Sequence, residues 1–188
     1  AEVFVWDRRE GLVATALYYA IKVDTGTFER QAHDEDIMAF KHLHALMDKQ
    51  MLHRIEYSQY TLSTLDYFGI ALLRKRTERD VLFVHVGVVP STDTVVHIAD
   101  FFNRLSEMRL VVVSGVTPHR LAVVFRTKGT KKSVGSLAKR AFGELGSAGG
   151  HASMARAEVS LETLREHVPD LSSERVEVFV LGRLASHL

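Results

Sequence analysis

The pattern of apolar residues changes near residue 80, and this change limits the folds open to the chain. Before it, apolar side chains recur at helical spacing over 12–23, and similar stretches predict helices over 37–49, 51–57 and 63–75. After it, residues 81–89 form an uninterrupted run rich in β-branched side chains, which is typical of a buried strand. The sequence therefore predicts an α/β protein that is helical first and mixed afterwards.

Strand and helix patterns alternate after residue 90. The predicted helices are 95–105, 133–145 and 161–167, and the predicted strands are 110–116, 120–125 and 155–159. Thr117-Pro118-His119 joins two of these strands as a hairpin. The apolar segment 176–188 is predicted to be a strand that continues into a helix. The charged run at 74–80 is predicted to be a solvated domain boundary.

Composition excludes several classes of protein. A length of 188 residues suits one large domain or two small ones, and no segment is apolar enough to span a membrane. The chain has no cysteine, which excludes disulfides and thiolate metal sites and is compatible with a cytoplasmic location. The formal net charge is +1, so any attraction for phosphate must come from local patches.

The glycine-rich segment Gly146-Ser147-Ala148-Gly149-Gly150-His151 carries much of the chemical information. Glycine lets a ligand approach the backbone closely, and exposed N–H groups can bind an anion. We therefore expect an anion-binding loop in which His151 supplies a further donor. A purely structural loop that joins helix to strand remains the alternative.

Basic residues precede this segment. Arg126 and Lys128 follow a predicted strand, and Lys131, Lys132, Lys139 and Arg140 lie nearby in sequence. If the sheet places Arg126 beside the glycine loop, these residues form a phosphate-binding face. Otherwise they form an ordinary solvated rim.

Asp24 ends a predicted helix and opens a turn that contains Gly26. A carboxylate there can bind a metal ion, or it can cap the turn, which the local sequence favours. One carboxylate does not make a hydrolytic metal centre, because such centres need several Asp and His ligands. None of the ten histidines has the spacing of a zinc signature.

Two segments together resemble the DHH family of phosphoesterases. The segment 19–28, Tyr-Ala-Ile-Lys-Val-Asp-Thr-Gly-Thr-Phe, resembles the family's last metal-binding motif, an apolar helix followed by Thr-Asp-Thr and a nearby Phe. The segment 148–159 is similar to the Gly-Gly-Gly-His-x-x-Ala-Ala-Gly motif of the DHH-associated domain. The order of elements also matches that domain: a strand is followed by Arg126-Thr127-Lys128, then by a basic helix and the glycine loop.

The resemblance implies a fold, a reaction and roles for these residues. Residues 1–73 would be the C-terminal part of a DHH catalytic domain plus a linker helix, and 78–188 a mixed-sheet DHH-associated domain. Two manganese ions, or magnesium in their place, would activate a water that attacks phosphorus. Asp24 would bind metal, whereas Arg126, Gly149, Gly150 and His151 would hold a nucleotide or a short single-stranded nucleic acid. No membrane partner is implied, and a homodimer is left open.

The chain also departs from the family pattern. Ala148 replaces the first Gly, Met154-Ala155-Arg156 replaces Ala-Ala-Gly, and Val23 stands where Thr usually precedes the Asp. No Asp-His-His is present. We therefore expect either a fragment that is inactive alone or a member without its catalytic ligands. The alternative function is a non-catalytic nucleotide- or single-strand-binding module on the same scaffold.

Overall fold

The computed structural model describes residues 8–28, 32–57, 60–129 and 133–187. Two compact units divide between Thr61 and Leu62. In the first unit, α1 (Arg8–Asp24) contacts α2 (Asp34–Leu46) and α3 (Lys49–Tyr57). The helices predicted for this part of the sequence are confirmed.

The second unit is a six-stranded mixed sheet with helices on both faces. Its elements are α4 (Leu62–Arg74), β1 (Arg76–Glu78), β2 (Val81–Val88), α5 (Thr92–Phe102), β3 (Leu110–Val116), β4 (Arg120–Thr127), α6 (Val134–Phe142), β5 (Gly146–Gly150), β6 (Met154–Ser160), α7 (Leu161–His167) and α8 (Ser173–Ala185). The strand order is β1-β2-β3-β4-β6-β5. Strands β2 and β3 are parallel, and the other neighbours are antiparallel. The predicted α/β class, helical first and mixed afterwards, is confirmed.

Side chains alternate between two core clusters because successive strand residues point to opposite sides of the sheet. On one side, called the α5 face, Val113 and Val124 pack with Ile98 and Phe102. On the other side, called the α6 face, Val123 and other residues pack with α6, α7 and α8. Helix α4 contacts β2, and α5 contacts β3 and β4. Helix α6 contacts β5 and β6, and α7 contacts β6.

The segment predicted as a glycine loop is the edge strand β5, so that prediction is wrong. It pairs antiparallel with β6, with Gly146 opposite Val159 and Gly150 opposite Ala155. Glycine has a low strand propensity, which favours a loop when the sequence is considered alone. Here the neighbouring strand and the packing of α6 override that propensity.

One further prediction needs correction. Residues 176–188 were expected to begin as a strand, but 173–185 form helix α8. Val176, Val180 and Leu184 are buried on one side of this helix at a spacing of four residues. The charged run at 74–80 lies within the second unit and contains the exposed strand β1. No described helix is long and apolar enough to cross a membrane.

Candidate functional site

Asp24 lies at the carboxyl end of α1 and is exposed. The turn that follows is stabilised by Thr25, whose hydroxyl donates to the Ile21 carbonyl at 2.7 Å and accepts from the Phe28 amide at 3.2 Å. The capping role that the sequence suggested for Asp24 is therefore performed by its neighbour. The carboxylate also lies at the negative end of the helix dipole, where a cation would be favoured.

The described residues do not fit a two-metal centre. Among them, no group of three or more His, Asp or Glu side chains is arranged to hold a metal ion. Asp24 therefore remains a predicted ligand without companions in the described part of the chain. We derive no catalytic step from it.

Two of the three glycines in β5 are required by the fold. A Cβ on Gly146 would overlap the Glu158 carbonyl, and one on Gly150 would overlap the Met154 carbonyl. Gly150 also has a φ of 152°, which L-residues with side chains rarely adopt. These two positions support the structural interpretation of the glycine-rich segment.

Gly149 differs from both neighbours. A Cβ built on it meets no heavy atom of the described residues within 4 Å. Its cross-strand partner is Arg156, so both residues face the same side of the sheet. That side is the α5 face, because Arg156 also pairs with Val124, which belongs to the core cluster on that face. The fold does not require a glycine here.

His151 follows β5 and is exposed. Its backbone holds the β5–β6 turn to helix α6: the His151 carbonyl accepts from the Ser133 hydroxyl at 3.0 Å and from the Gly135 amide at 3.1 Å. Its amide donates to the Met154 carbonyl at 2.8 Å. The backbone of His151 is therefore structural, and its ring lies at the surface at the end of β5.

Arg126 is on the same face as Gly149 but not next to it. Its side chain is 12% exposed and donates through Nε to Asp100 of α5 at 2.6 Å. Strand β6 lies between β4 and β5, so Arg126 and Gly149 are two strands apart, which corresponds to about 10 Å between backbones. The sheet thus brings Arg126 and the glycine segment to one face without direct contact.

The other basic residues that the structure describes are divided between this face and the opposite one. Lys128 donates to the Leu105 carbonyl at 2.6 Å, at the end of α5. Lys139 and Arg140 are exposed residues of α6, which packs against the opposite face. Lys131 and Lys132 lie outside the described residues. The predicted patch is therefore divided between the two faces in the described residues.

An ion-pair cluster that no sequence motif indicated, formed by Arg120, Arg156 and Glu158, completes the α5 face of β4 and β6. The Glu158 carboxylate pairs with Arg120 at 2.5 Å and with Arg156 at 3.3 Å. The alternation of β6 could have revealed this pairing, because residues two apart in a strand share a face. Arg156 departs from the family motif, and the sheet accommodates it without packing strain because its side chain is 57% exposed.

Comparison with known proteins supports the fold. No protein-family model matches the chain. An uncharacterized protein of Methanocaldococcus jannaschii is 27% identical over 150 residues, which are 79% of this chain and 30% of that protein. The solved exopolyphosphatase-related protein of Bacteroides fragilis matches with a TM-score of 0.59 and 17% identity, over 89% of this chain and 51% of that chain.

The chain shares the fold of this exopolyphosphatase-related protein, and that likeness agrees with the DHH-associated fold that the sequence resemblance implies. The fold agrees with the two sequence motifs and with their order along the chain. RecJ of Thermus thermophilus also matches, with a TM-score of 0.41 and 17% identity over 88% of this chain and 24% of that chain. The chain spans about half the length of the Bacteroides protein and about a third of the Methanocaldococcus protein.

Proposed function

We propose that this chain is the substrate-binding part of a metal-dependent phosphoesterase. Its substrates would be nucleotidic phosphoesters: short oligonucleotides, 3′-phosphoadenosine 5′-phosphate or cyclic dinucleotides. The DHH fold and the motif around Asp24 support the reaction class. The glycine segment and Arg126 support the type of substrate.

The bare backbone at Gly149 carries the proposal. Gly146 and Gly150 are explained by close backbone packing, whereas Gly149 has free space at its Cβ position. A glycine that the fold does not need is expected where a ligand approaches the main chain. Its position on the α5 face, shared with Arg126, makes a phosphate the best-matched ligand.

Each residue has a distinct role in this proposal. The backbone around Gly149 and Gly150 contacts the phosphate or the terminal nucleotide, and the exposed His151 ring adds a donor. Arg126 offsets negative charge after partial release from Asp100. Asp24 would contribute one metal ligand in a centre that other residues complete, which is why we expect no hydrolysis by this chain alone.

An NMR titration tests the binding role. Adenosine 5′-monophosphate should shift the amide signals of Gly149, Gly150 and His151, and Gly149→Val should abolish these shifts while the remaining spectrum stays native. Gly182→Val is the matched control, because Gly182 also has free space at its Cβ position but lies in α8. Absence of shifts at Gly149 in the unmodified chain would refute the proposal.

A second experiment separates catalysis from simple binding. In a longer protein that includes this chain, His151→Ala should lower turnover of a short oligoribonucleotide with manganese and leave its affinity largely intact. Loss of affinity in a protein without turnover would instead favour the nucleotide-binding module. Metal-dependent hydrolysis by the 188-residue chain alone would contradict its assignment as the binding part.

A further inference from the structure

We propose that Arg156 determines substrate specificity by binding a second phosphate beside the one held at Gly149. The preferred ligand would then be a nucleotide with two phosphate groups rather than a nucleoside monophosphate. This inference rests on the proposed function and deepens it. Arg156 stands where the resembling motif has glycine, so its role cannot be carried over from that motif.

The sheet register places Arg156 directly beside the site. Gly149 and Arg156 are cross-strand partners on β5 and β6. Side chains at directly opposed positions share a face and have neighbouring Cβ positions. Because Gly149 has no side chain, the space over it is bordered by Arg156. A second phosphate beside one seated on the Gly149 backbone would therefore lie within reach of this guanidinium group.

A second guanidinium lies diagonally across the same face. Val124 is the β4 partner of Arg156, and Arg126 is two residues farther along β4. Diagonal positions of this kind lie about 7–8 Å apart. Arg156 and Arg126 are thus separate cations near Gly149, one on the adjacent strand and one a strand farther away. Two charged positions of this spacing suit two phosphate groups better than one.

The balance of charges on this face leaves Arg156 available to bind a phosphate. One carboxylate, Glu158, serves both Arg120 and Arg156, and its shorter contact is to Arg120. Asp100 pairs with Arg126. These three arginines and two acids leave one positive charge, and Arg156 has the longest of the three contacts. A 3.3 Å pair made by an arginine that is 57% exposed is weak, and phosphate offers guanidinium a bidentate alternative.

Paired titrations of the full chain test the inference. Adenosine 3′,5′-bisphosphate and adenosine 5′-monophosphate would be compared by NMR at constant ionic strength, because phosphate affinity depends on salt. We expect the unmodified chain to bind the bisphosphate about tenfold or more tightly, as expected for one charge-assisted contact. Arg156→Gln should remove this preference and leave monophosphate affinity within about twofold, and Arg156→Lys should restore part of it.

Arg140→Gln is the matched control, because Arg140 is an exposed arginine of α6, on the opposite face. It should keep the full preference. Equal affinity for the two ligands in the unmodified chain, or an unchanged preference in Arg156→Gln, would overturn the inference and leave the proposed function standing. If neither ligand shifts Gly149, the proposed function fails and this inference fails with it.

Discussion

The buried histidine of the sheet should make the second unit sensitive to acid. All ten histidines lie in the described residues, and His85 on β2 is the one that is buried, with 0% exposure. Its Nδ1 lies 2.9 Å from the Ser114 hydroxyl, and its Nε2 has no hydrogen-bond partner among the described residues. Burial, with a smaller contribution from nearby Arg74, lowers the pKa of His85 from 6.5 to about 4.

The direction of the effect follows from proton linkage. Between pH 6.5 and about 4, the unfolded chain binds a proton at this histidine and the folded chain does not, so the free energy of unfolding falls as the pH falls. The full difference is worth about 3 kcal/mol at 1.36 kcal/mol per pKa unit, and about 2 kcal/mol of it is already lost at pH 5. Above pH 6.5 the histidine is neutral in both states and this contribution is constant.

Urea unfolding, followed through core methyl signals such as those of Val112 and Val123, measures this loss at pH 8, 6.5, 5.5 and 5. His85→Gln should flatten the profile over this range, whereas the exposed-residue control His119→Gln should keep it. The aspartates with lowered pKa, Asp80 and Asp170, titrate at lower pH and do not obscure the comparison. Equal losses in the unmodified chain and His85→Gln would refute the assignment.

Four substitutions, of which Gly149→Ala is a control, test other parts of the structure. Gly150→Ala should lower the free energy of unfolding by about 2 kcal/mol or more, because it adds backbone strain and a steric overlap. Gly149→Ala should change the free energy of unfolding by less than about 0.5 kcal/mol. Equal effects of the two substitutions in urea unfolding would contradict this difference. Asp24→Asn should stabilise the first unit by about 0.3–1 kcal/mol by removing a negative charge from the carboxyl end of α1, and a lower thermal midpoint would oppose this. Asp100→Asn should lower the free energy of unfolding by less than about 1 kcal/mol and should tighten phosphate binding, because it releases Arg126. An unchanged affinity for phosphate in a titration would argue against a role for Arg126.

The elements with clear apolar periodicity could be predicted from the sequence. The stripe from Leu12 to Val23 and the β-branched run before Pro90 each fit one spacing, and both have the predicted structure. The strand prediction at the start of 176–188 was wrong because the apolar content of this segment obscured the four-residue repeat of Val176, Val180 and Leu184. That repeat was present in the sequence and would have identified α8.

The candidate site was less accessible to prediction, because its geometry depends on strand register. Local composition does not show that β5 pairs with β6, and only this pairing puts Gly149 beside Arg156. The strand order also places β6 between Arg126 on β4 and the glycines on β5, although β4, β5 and β6 follow one another closely in sequence. The roles of Asp24, Arg126, Gly149, Gly150 and His151 remain predictions.

The attachment of α6 to the β5–β6 turn has a consequence for folding. The first amides of α6, those of Val134 and Gly135, donate to the carbonyls of Ala152 and His151, and Gly135 leaves no room for a side chain against Gly150. The start of the helix is therefore completed by a hairpin that comes later in the chain. Helix and hairpin should order together as one cooperative unit, with matched hydrogen-exchange protection. A ligand that holds the hairpin would then also slow the fraying of α6.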